Sequence, residues 1–109
     1  MPYFCGIFFL YMKQLSLEHN YRPSTKSENA PAIIMLHGYG SDENDLFSFA
    51  SELPSEYAII SLKAPYKLQP FGNAWYNIYF DNPKGKWNDE EQAISSRELV
   101  VKVTLLCVQ

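Results

Sequence analysis

The pattern of apolar residues changes several times along the chain and predicts strands and loops in a definite order. Apolar and polar residues alternate from Gln14 to Tyr21, which is typical of a half-buried strand. A polar turn or loop follows at residues 22–30. The unbroken apolar run Ala32–Leu36 then predicts a strand that is covered on both faces, and a second run of this type occupies Ala58–Leu62.

Between these two runs lies a segment with helical spacing. Residues 41–45 supply N-cap candidates and the acidic residues that favour the first turn of a helix. The apolar residues that follow recur at helical intervals and would share one face: Leu46, Phe47, Phe49, Ala50 and Leu53. Strand, loop, helix and strand in this order predict a βαβ unit and an α/β sheet.

The second half of the chain predicts loops, an aromatic segment and the start of a helix. Residues 63–73 and 81–87 carry the proline and glycine residues of loops, and Ala74–Phe80 is aromatic and extended or irregular. Asn88 is followed by three acidic residues, which is a helix start signal. Because β-branched residues accumulate from Leu99 onward, the helical pattern fades there.

The two ends of the chain differ from its middle. Residues 1–11 are almost wholly apolar, but Lys13 follows this run instead of preceding it as in a signal peptide. The run is also far shorter than the roughly 20 residues of a membrane-spanning helix. We interpret residues 1–11 as an extension that is not native to the domain, and residues 12–109 as the N-terminal part of a domain. An amphipathic or secretory segment and an extra edge strand are the alternatives. At the other end, residues 103–109 abandon the helical pattern, as a shifted reading frame would.

Composition and charge exclude several classes of protein. The 109 residues are 47% hydrophobic and 19% charged, as in one globular domain. Nine basic against twelve acidic residues give a net charge of −3, which speaks against a nucleic-acid partner. The two cysteines, Cys5 and Cys107, lie at opposite ends, which favours a reducing compartment and predicts a cytoplasmic protein. His19 and His37 lack metal-ligand spacing, so no metal site is expected.

The segment with the clearest chemical potential is His37-Gly38-Tyr39-Gly40, directly after a predicted strand. Two glycines at this place let the backbone turn sharply and point N–H groups outward, toward either a phosphate or the oxyanion of an acyl-transfer intermediate. Glu43 stands where the third glycine of G-x-G-x-x-G would be. The residues alone leave three interpretations open: an oxyanion loop, a plain tight turn and a nucleotide-binding loop.

Two motifs in this order resemble a known family. Residues 37–46, placed after Ile33–Leu36, are similar to the first catalytic loop of the phospholipase/carboxylesterase (acyl-protein thioesterase-like) family of α/β-hydrolases. Residues 63–66 and 72–78 (KAPY and GNAWYNI) resemble that family's second signature, and the resemblance covers about residues 15–99. It implies a partial α/β-hydrolase fold, with the N-terminal strands and first helices of a doubly wound sheet. It also implies hydrolysis of small-molecule or lipid esters or thioesters through an acyl-enzyme, without a cofactor.

The resemblance assigns roles to individual residues. The backbone N–H of Tyr39 would be one oxyanion-hole donor, with Gly38 and Gly40 permitting its geometry. His37 would shape the loop and would not be the catalytic base. Trp75 and Tyr76 would line the substrate pocket; ordinary packing of these aromatic residues beneath a loop is the alternative.

One departure from the family is decisive for activity. None of the ten serines lies in a G-x-S-x-G nucleophile elbow. In this fold the nucleophile, acid and base follow one another along the chain, so all three are expected beyond Gln109, and the 109 residues alone are expected to be inactive. Half a sheet would leave uncovered faces at Ile33, Ile34, Ile59 and Ile60 and open edges that favour self-association. The alternatives are a non-catalytic interaction fragment and a small nucleotide-binding βαβ protein.

Overall fold

The computed structural model describes residues 17–80, 85 and 87–107. These residues form mixed α and β structure. In chain order the elements are β1 (His19–Arg22), β2 (Ala32–Leu36), α1 (Glu43–Phe47), a 3-10 turn (Ala50–Glu52), β3 (Ala58–Leu62), β4 (Tyr66–Lys67), β5 (Asn73–Ala74), β6 (Ile78–Tyr79), β7 (Trp87–Asn88) and α2 (Glu90–Cys107).

A three-stranded sheet with the order β1-β3-β2 forms the centre of the fold. β3 pairs in parallel with β2, with Ile34 beside Ile60, and antiparallel with β1 on its other side. The parallel pair confirms the predicted strand–helix–strand unit, and the mixed content is compatible with the predicted α/β class.

β3 is buried along its whole length and is covered on both faces. One face packs into a core cluster whose buried members are Leu17, Ile60, Leu62 and Val103. Side chains alternate between the faces of a strand, so Ser61 points the other way, and its Oγ donates to the Glu43 carbonyl of α1 at 2.7 Å. α2 and α1 therefore lie on opposite faces of the central strand.

β2 is less buried than its apolar sequence predicted. We expected Ala32–Leu36 to be covered on both faces, but its ends are exposed and its middle is half-buried. The reason is that β2 pairs only with β3 within the described part of the chain, which makes it an edge strand. The expected uncovered faces are wrong for Ile59 and Ile60, which are at most 1% exposed, and Ile33 and Ile34 are half-buried.

The first strand lies further along the chain than the alternation predicted. Residues 14–16 lie outside the described residues, and the strand occupies His19–Arg22 instead of Gln14–Tyr21. Arg22, predicted as the first loop residue, is a strand residue whose side chain is hydrogen bonded to the segment between α1 and β3. Its guanidinium donates to the carbonyls of Ala50, Leu53, Pro54 and Tyr57.

The predicted helix is shorter than its apolar spacing suggested. α1 ends at Phe47, and the 3-10 turn follows after a break. At the break, the Ser48 hydroxyl donates to the Asp45 carbonyl at 2.8 Å and thereby competes with the helical ladder. The following backbone bonds span three residues instead of four, which rotates Phe49 away from the sheet and leaves it exposed.

The second helix continues well past the point where its pattern fades. Asp89, one residue after the predicted start, caps α2 by accepting from the Gln92 N–H at 3.1 Å. The expectation that the helix fades at Leu99 is wrong, since α2 extends to Cys107. Val103 is completely buried in the core cluster, and this packing outweighs the lower helix propensity of β-branched residues. The inference of a shifted reading frame from residue 103 therefore loses its basis.

Two short antiparallel pairs complete the described structure. β4 pairs with β5 within the predicted 63–73 loop and its junction with the aromatic segment, and β6 pairs with β7. Residues 1–16, 81–84, 86 and 108–109 lie outside the described residues. The interpretation of residues 1–11 as an extension, and most of the predicted loop at 81–87, stay predictions. No helix in the described ranges is long and apolar enough to span a membrane.

Candidate functional site

The 37–41 turn connects the end of β2 to the start of α1. The N–H of Ser41 closes it by donating to the Gly38 carbonyl at 3.2 Å. Asp42 then caps α1, because its Oδ1 accepts from the Asn44 N–H at 2.8 Å. The strand end, the turn and the helix start thus form one continuous, hydrogen-bonded unit.

His37 is buried, with 2% of its surface exposed, and both ring nitrogens are engaged by the backbone. Nε2 lies 3.0 Å from the Ala64 amide nitrogen, and Nδ1 lies 2.8 Å from the Gly38 carbonyl oxygen. Since an amide can only donate, Nε2 accepts, and the tautomer that satisfies both contacts carries its proton on Nδ1. This arrangement supports the interpretation of His37 as a loop-shaping residue, with no ring nitrogen available as a general base.

The backbone of the 37–41 turn is paired with residues 72–73. The Gly40 N–H donates to the Asn73 carbonyl, and the Asn73 N–H donates to the Ser41 carbonyl, each at 2.9 Å. Gly40 and Gly72 both have positive φ, at 84° and 88°. A Cβ on Gly72 would lie 2.2 Å from the Gly40 oxygen, so only glycine permits this approach.

Trp75 links the turn to α2. Its Nε1–H donates to the His37 carbonyl at 2.7 Å, and its ring lies 5.4 Å from the His37 ring, centroid to centroid. Its own carbonyl accepts from the Ser96 hydroxyl of α2. The two motifs that carry the family resemblance are therefore in direct contact, through hydrogen bonds that join His37, Gly40 and Ser41 to Ala64, Asn73 and Trp75.

The turn leaves backbone donors unused. The N–H groups of Gly40 and Ser41 are bonded within the protein, but among the described residues no acceptor takes the N–H of Gly38 or of Tyr39. The Tyr39 side chain is exposed and contacts Phe80 edge-to-face, with ring centroids 6.3 Å apart. Tyr39 thus combines a free backbone donor with a position at the surface.

An apolar cavity of about 290 Å³ lies between the end of β2 and α2. Its lining residues are Leu36, Trp75, Tyr76, Ala93, Ser96, Arg97, Val100 and Val101. Both predicted pocket residues, Trp75 and Tyr76, are among them, and Trp75 also packs against the core cluster. The pocket and packing interpretations of Trp75 are therefore compatible. The volume lies near the lower end of ligand sites, which commonly begin at about 300 Å³.

Three residues that position the site were not singled out from the sequence. Ala64 contributes a backbone N–H, Asn73 contributes backbone groups and its side-chain Nδ2, which donates to the Ser41 carbonyl at 3.3 Å, and Ser96 contributes a hydroxyl. Ala64 and Asn73 lie within the second motif, so the motif itself could have indicated that they contribute to the site. Ser96 is buried on a helix and had no comparable signal.

A charged pair lies beside a second, polar cavity of about 240 Å³. Lys63 Nζ lies 2.9 Å from Glu18 Oε2. The hydrogen bond that Lys63 donates to Glu18, with further acidic groups nearby, raises the pKa of Lys63 above its usual value. In the described ranges no group of three or more His, Cys, Asp or Glu side chains could hold a metal ion.

The Lys63–Glu18 pair predicts a small, alkaline loss of stability. Because the folded pKa of Lys63 is raised, its contribution is complete below the usual value of 10.5 and is lost as the pH rises past the folded value. Both side chains are partly exposed, so we expect less than about 1 kcal/mol. Urea unfolding of the wild type and of Glu18→Gln at pH 8 and pH 11.5 measures the difference. A difference between the two proteins that is as large at pH 11.5 as at pH 8 would contradict the assignment.

Comparisons of the chain with protein-family models, with curated proteins and with solved structures found no match. The functional argument therefore depends on the residues and on the geometry they form.

Proposed function

We propose that this chain carries the oxyanion loop of a serine hydrolase of the carboxylesterase, phospholipase or thioesterase type. Such an enzyme hydrolyses carboxylic esters or thioesters through an acyl-enzyme, here within a partial α/β-hydrolase fold. The observation that carries the proposal is the contact between the two motifs, which holds the 37–41 turn and leaves the Tyr39 N–H without a partner among the described residues.

The position of Tyr39 suits the chemistry. During acyl transfer the carbonyl oxygen of the substrate gains negative charge, and a preorganised N–H donor stabilises it most when the donor does not have to move. In α/β-hydrolases one such donor comes from a loop between an early strand and the next helix. Tyr39 lies between β2 and α1, and the N–H groups of Gly40 and Ser41 and the carbonyl of Gly38 are already hydrogen bonded.

The apolar cavity supports a substrate with a modest apolar group. Trp75 and Tyr76 form one wall and α2 the other, and Leu36 directly precedes the turn. An acyl or alcohol group in this cavity would bring its ester carbonyl toward the turn. Acyl transfer of this kind needs no cofactor, and a cytoplasmic location stays a prediction.

The isolated 109 residues are expected to lack a nucleophile. No serine lies in G-x-S-x-G, and the two serines that are buried among the described residues, Ser61 and Ser96, donate their hydroxyls to backbone carbonyls. We therefore expect no labelling by a fluorophosphonate probe and no hydrolysis of p-nitrophenyl butyrate above background. Labelling at a single serine, located by mass spectrometry, would disprove this expectation.

Binding of a carboxylate tests the proposed donor. Octanoate carries an apolar chain and a carboxylate that stands for the product acid and, in charge, for the oxyanion. Titration of protein labelled with ¹⁵N and ¹³C should shift the Tyr39 amide and the Val100 methyl signals together, with a Kd on the order of millimolar. Gly85 serves as the internal control, since its amide should not move.

The same titration with inorganic phosphate distinguishes an oxyanion loop from the alternative of a nucleotide-binding loop. Asp42 and Asp45 lie beside the turn and would repel a dianion, so we expect no phosphate shift at the turn amides. A shift with phosphate but not with octanoate would favour a nucleotide loop. No shift with either anion would remove the oxyanion proposal.

A second candidate function, that of an interaction module, is favoured by the open edge of β2. Within the described residues β2 has one neighbour, and its sequence AIIML carries no charged residue, which natural edge strands commonly use to prevent further pairing. Under this alternative, Ala32→Lys should reduce concentration-dependent association in sedimentation equilibrium. Ser51→Lys, on the exposed 3-10 turn, is the matched control. Association that both variants retain equally would exclude the β2 edge.

A further inference from the structure

Four large aromatic side chains are exposed in the same part of the molecule as the 37–41 turn. Tyr39 is 45% exposed, Tyr79 46%, Trp87 55% and Phe80 64%. We call these four residues the aromatic patch. Burial of such side chains is strongly favourable, so a cluster of them in water indicates a binding surface.

The aromatic patch consists of two pairs of residues. Tyr39 and Phe80 form the edge-to-face pair described above, and Tyr79 lies opposite Trp87 in the β6–β7 register. The Tyr79 hydroxyl donates to Asp89 Oδ2 at 3.2 Å. Partial removal from water, together with this hydrogen bond, raises the pKa of Tyr79 above its usual value.

The size of the aromatic patch argues against a stable protein partner. Fully buried aromatic residues contribute about 150–250 Å² each, so four that are about half exposed offer roughly 400 Å². A stable protein–protein interface needs about 800 Å² on each partner. The patch is therefore too small for such an interface, but it suffices for shallow insertion into a surface.

The chemistry of the aromatic patch points to a lipid surface. Tyrosine and tryptophan combine an apolar ring with a polar tip, and they concentrate where the headgroups of a membrane meet the apolar core. Among the described residues, the charged group that is hydrogen bonded to the patch is the carboxylate of Asp89, and the whole chain has a net charge of −3. Anionic lipids would be repelled, whereas zwitterionic lipids would not.

We propose that the aromatic patch docks on a zwitterionic phospholipid surface. Tyr39 belongs to both the patch and the 37–41 turn, so docking would hold the proposed oxyanion donor at the lipid–water boundary. The second part of this inference, that the ester substrate is drawn from the lipid layer, rests on the proposed function. The docking itself does not.

Flotation with phosphatidylcholine vesicles tests the docking. Wild-type protein should float with the vesicles, and Phe80→Ser should reduce the bound fraction on the order of tenfold in partition coefficient. Phe49→Ser is the matched control, because Phe49 is similarly exposed and no ring contact among the described residues joins it to the patch. Circular dichroism of both variants verifies that the fold is kept.

Quenching by brominated phosphatidylcholine locates the contact. Vesicles that carry bromine near the headgroups should quench tryptophan emission in the wild type but not in Trp87→Phe. Absence of flotation, equal loss in Phe80→Ser and Phe49→Ser, or quenching that persists without Trp87 would each overturn the docking. If the protein floats with the vesicles but octanoate does not shift the Tyr39 amide, the proposed function alone is refuted. If octanoate shifts the Tyr39 amide but the protein does not float, the docking alone is refuted.

Discussion

Replacement of Gly72 by alanine is expected to lower the free energy of unfolding by about 3–4 kcal/mol, the sum of left-handed backbone strain and steric overlap. Gly72 has a φ of +88°, and an added Cβ would lie 2.2 Å from the Gly40 oxygen and 2.6 Å from the Gly40 carbonyl carbon. Both neighbours are backbone atoms, so no side-chain rotation can relieve the overlap. The 37–41 turn would have to separate from Asn73, which would break two hydrogen bonds.

Gly85→Ala is the control for this substitution. Gly85 also has a positive φ, at +101°, but no described atom lies within 4 Å of an added Cβ. Gly85→Ala should therefore lower the free energy of unfolding only by the left-handed backbone strain, about 1–2 kcal/mol. Urea unfolding followed by circular dichroism measures both values. Equal losses in the two variants would mean that the turn does not contact Gly72.

Val103→Asp is expected to lower the free energy of unfolding by at least about 3 kcal/mol, since it places an uncompensated charge in the core. Val103 is completely buried in the cluster that includes Ile60 and Leu62 of the central strand. The measurement again is urea unfolding, or the unfolded fraction in buffer if the variant no longer folds.

Val101→Asp, on the same helix but 47% exposed, isolates the effect of burial. Its carboxylate can stay hydrated, so we expect a loss below about 1 kcal/mol. A tolerated aspartate at position 103 would mean that α2 does not pack on the sheet. The helix beyond Leu99 would then have to be reconsidered, together with the wall it contributes to the apolar cavity.

The central part of the fold could be predicted from the sequence because its signals are local. The apolar runs of β2 and β3, with a capped helix between them, are recognisable without tertiary information. The end of α1 near Ser48 could not be predicted from such local signals. A hydroxyl that bonds a carbonyl three residues earlier shortens α1, but the spacing of the apolar residues contains no sign of it.

The second helix is longer than its local sequence pattern predicts, whereas α1 is shorter. The β-branched residues after Leu99 disfavour a helix, and only the packing of Val103 against β3 explains why the helix continues. Burial of this kind depends on residues about forty positions away in the chain, so no local pattern reveals it. The half-buried state of β2 likewise depends on its place at the edge of the sheet, which its composition does not show.

The candidate site was predictable as two motifs but not as an arrangement. Spacing alone could not tell that His37 would be enclosed between the Ala64 amide and its own neighbour, or that Gly40 would pair with Asn73. These contacts give a physical reason for the glycines and for the histidine. They also leave the backbone N–H groups of Gly38 and Tyr39 without an acceptor among the described residues.

A crystal structure of the chain with octanoate would test the central claim most directly. We expect a carboxylate oxygen about 2.7–3.1 Å from the Tyr39 nitrogen, with the alkyl chain between Trp75 and Val100. A carboxylate bound elsewhere, or a Tyr39 N–H that is hydrogen bonded within the protein, would contradict the assignment of this turn as an oxyanion loop.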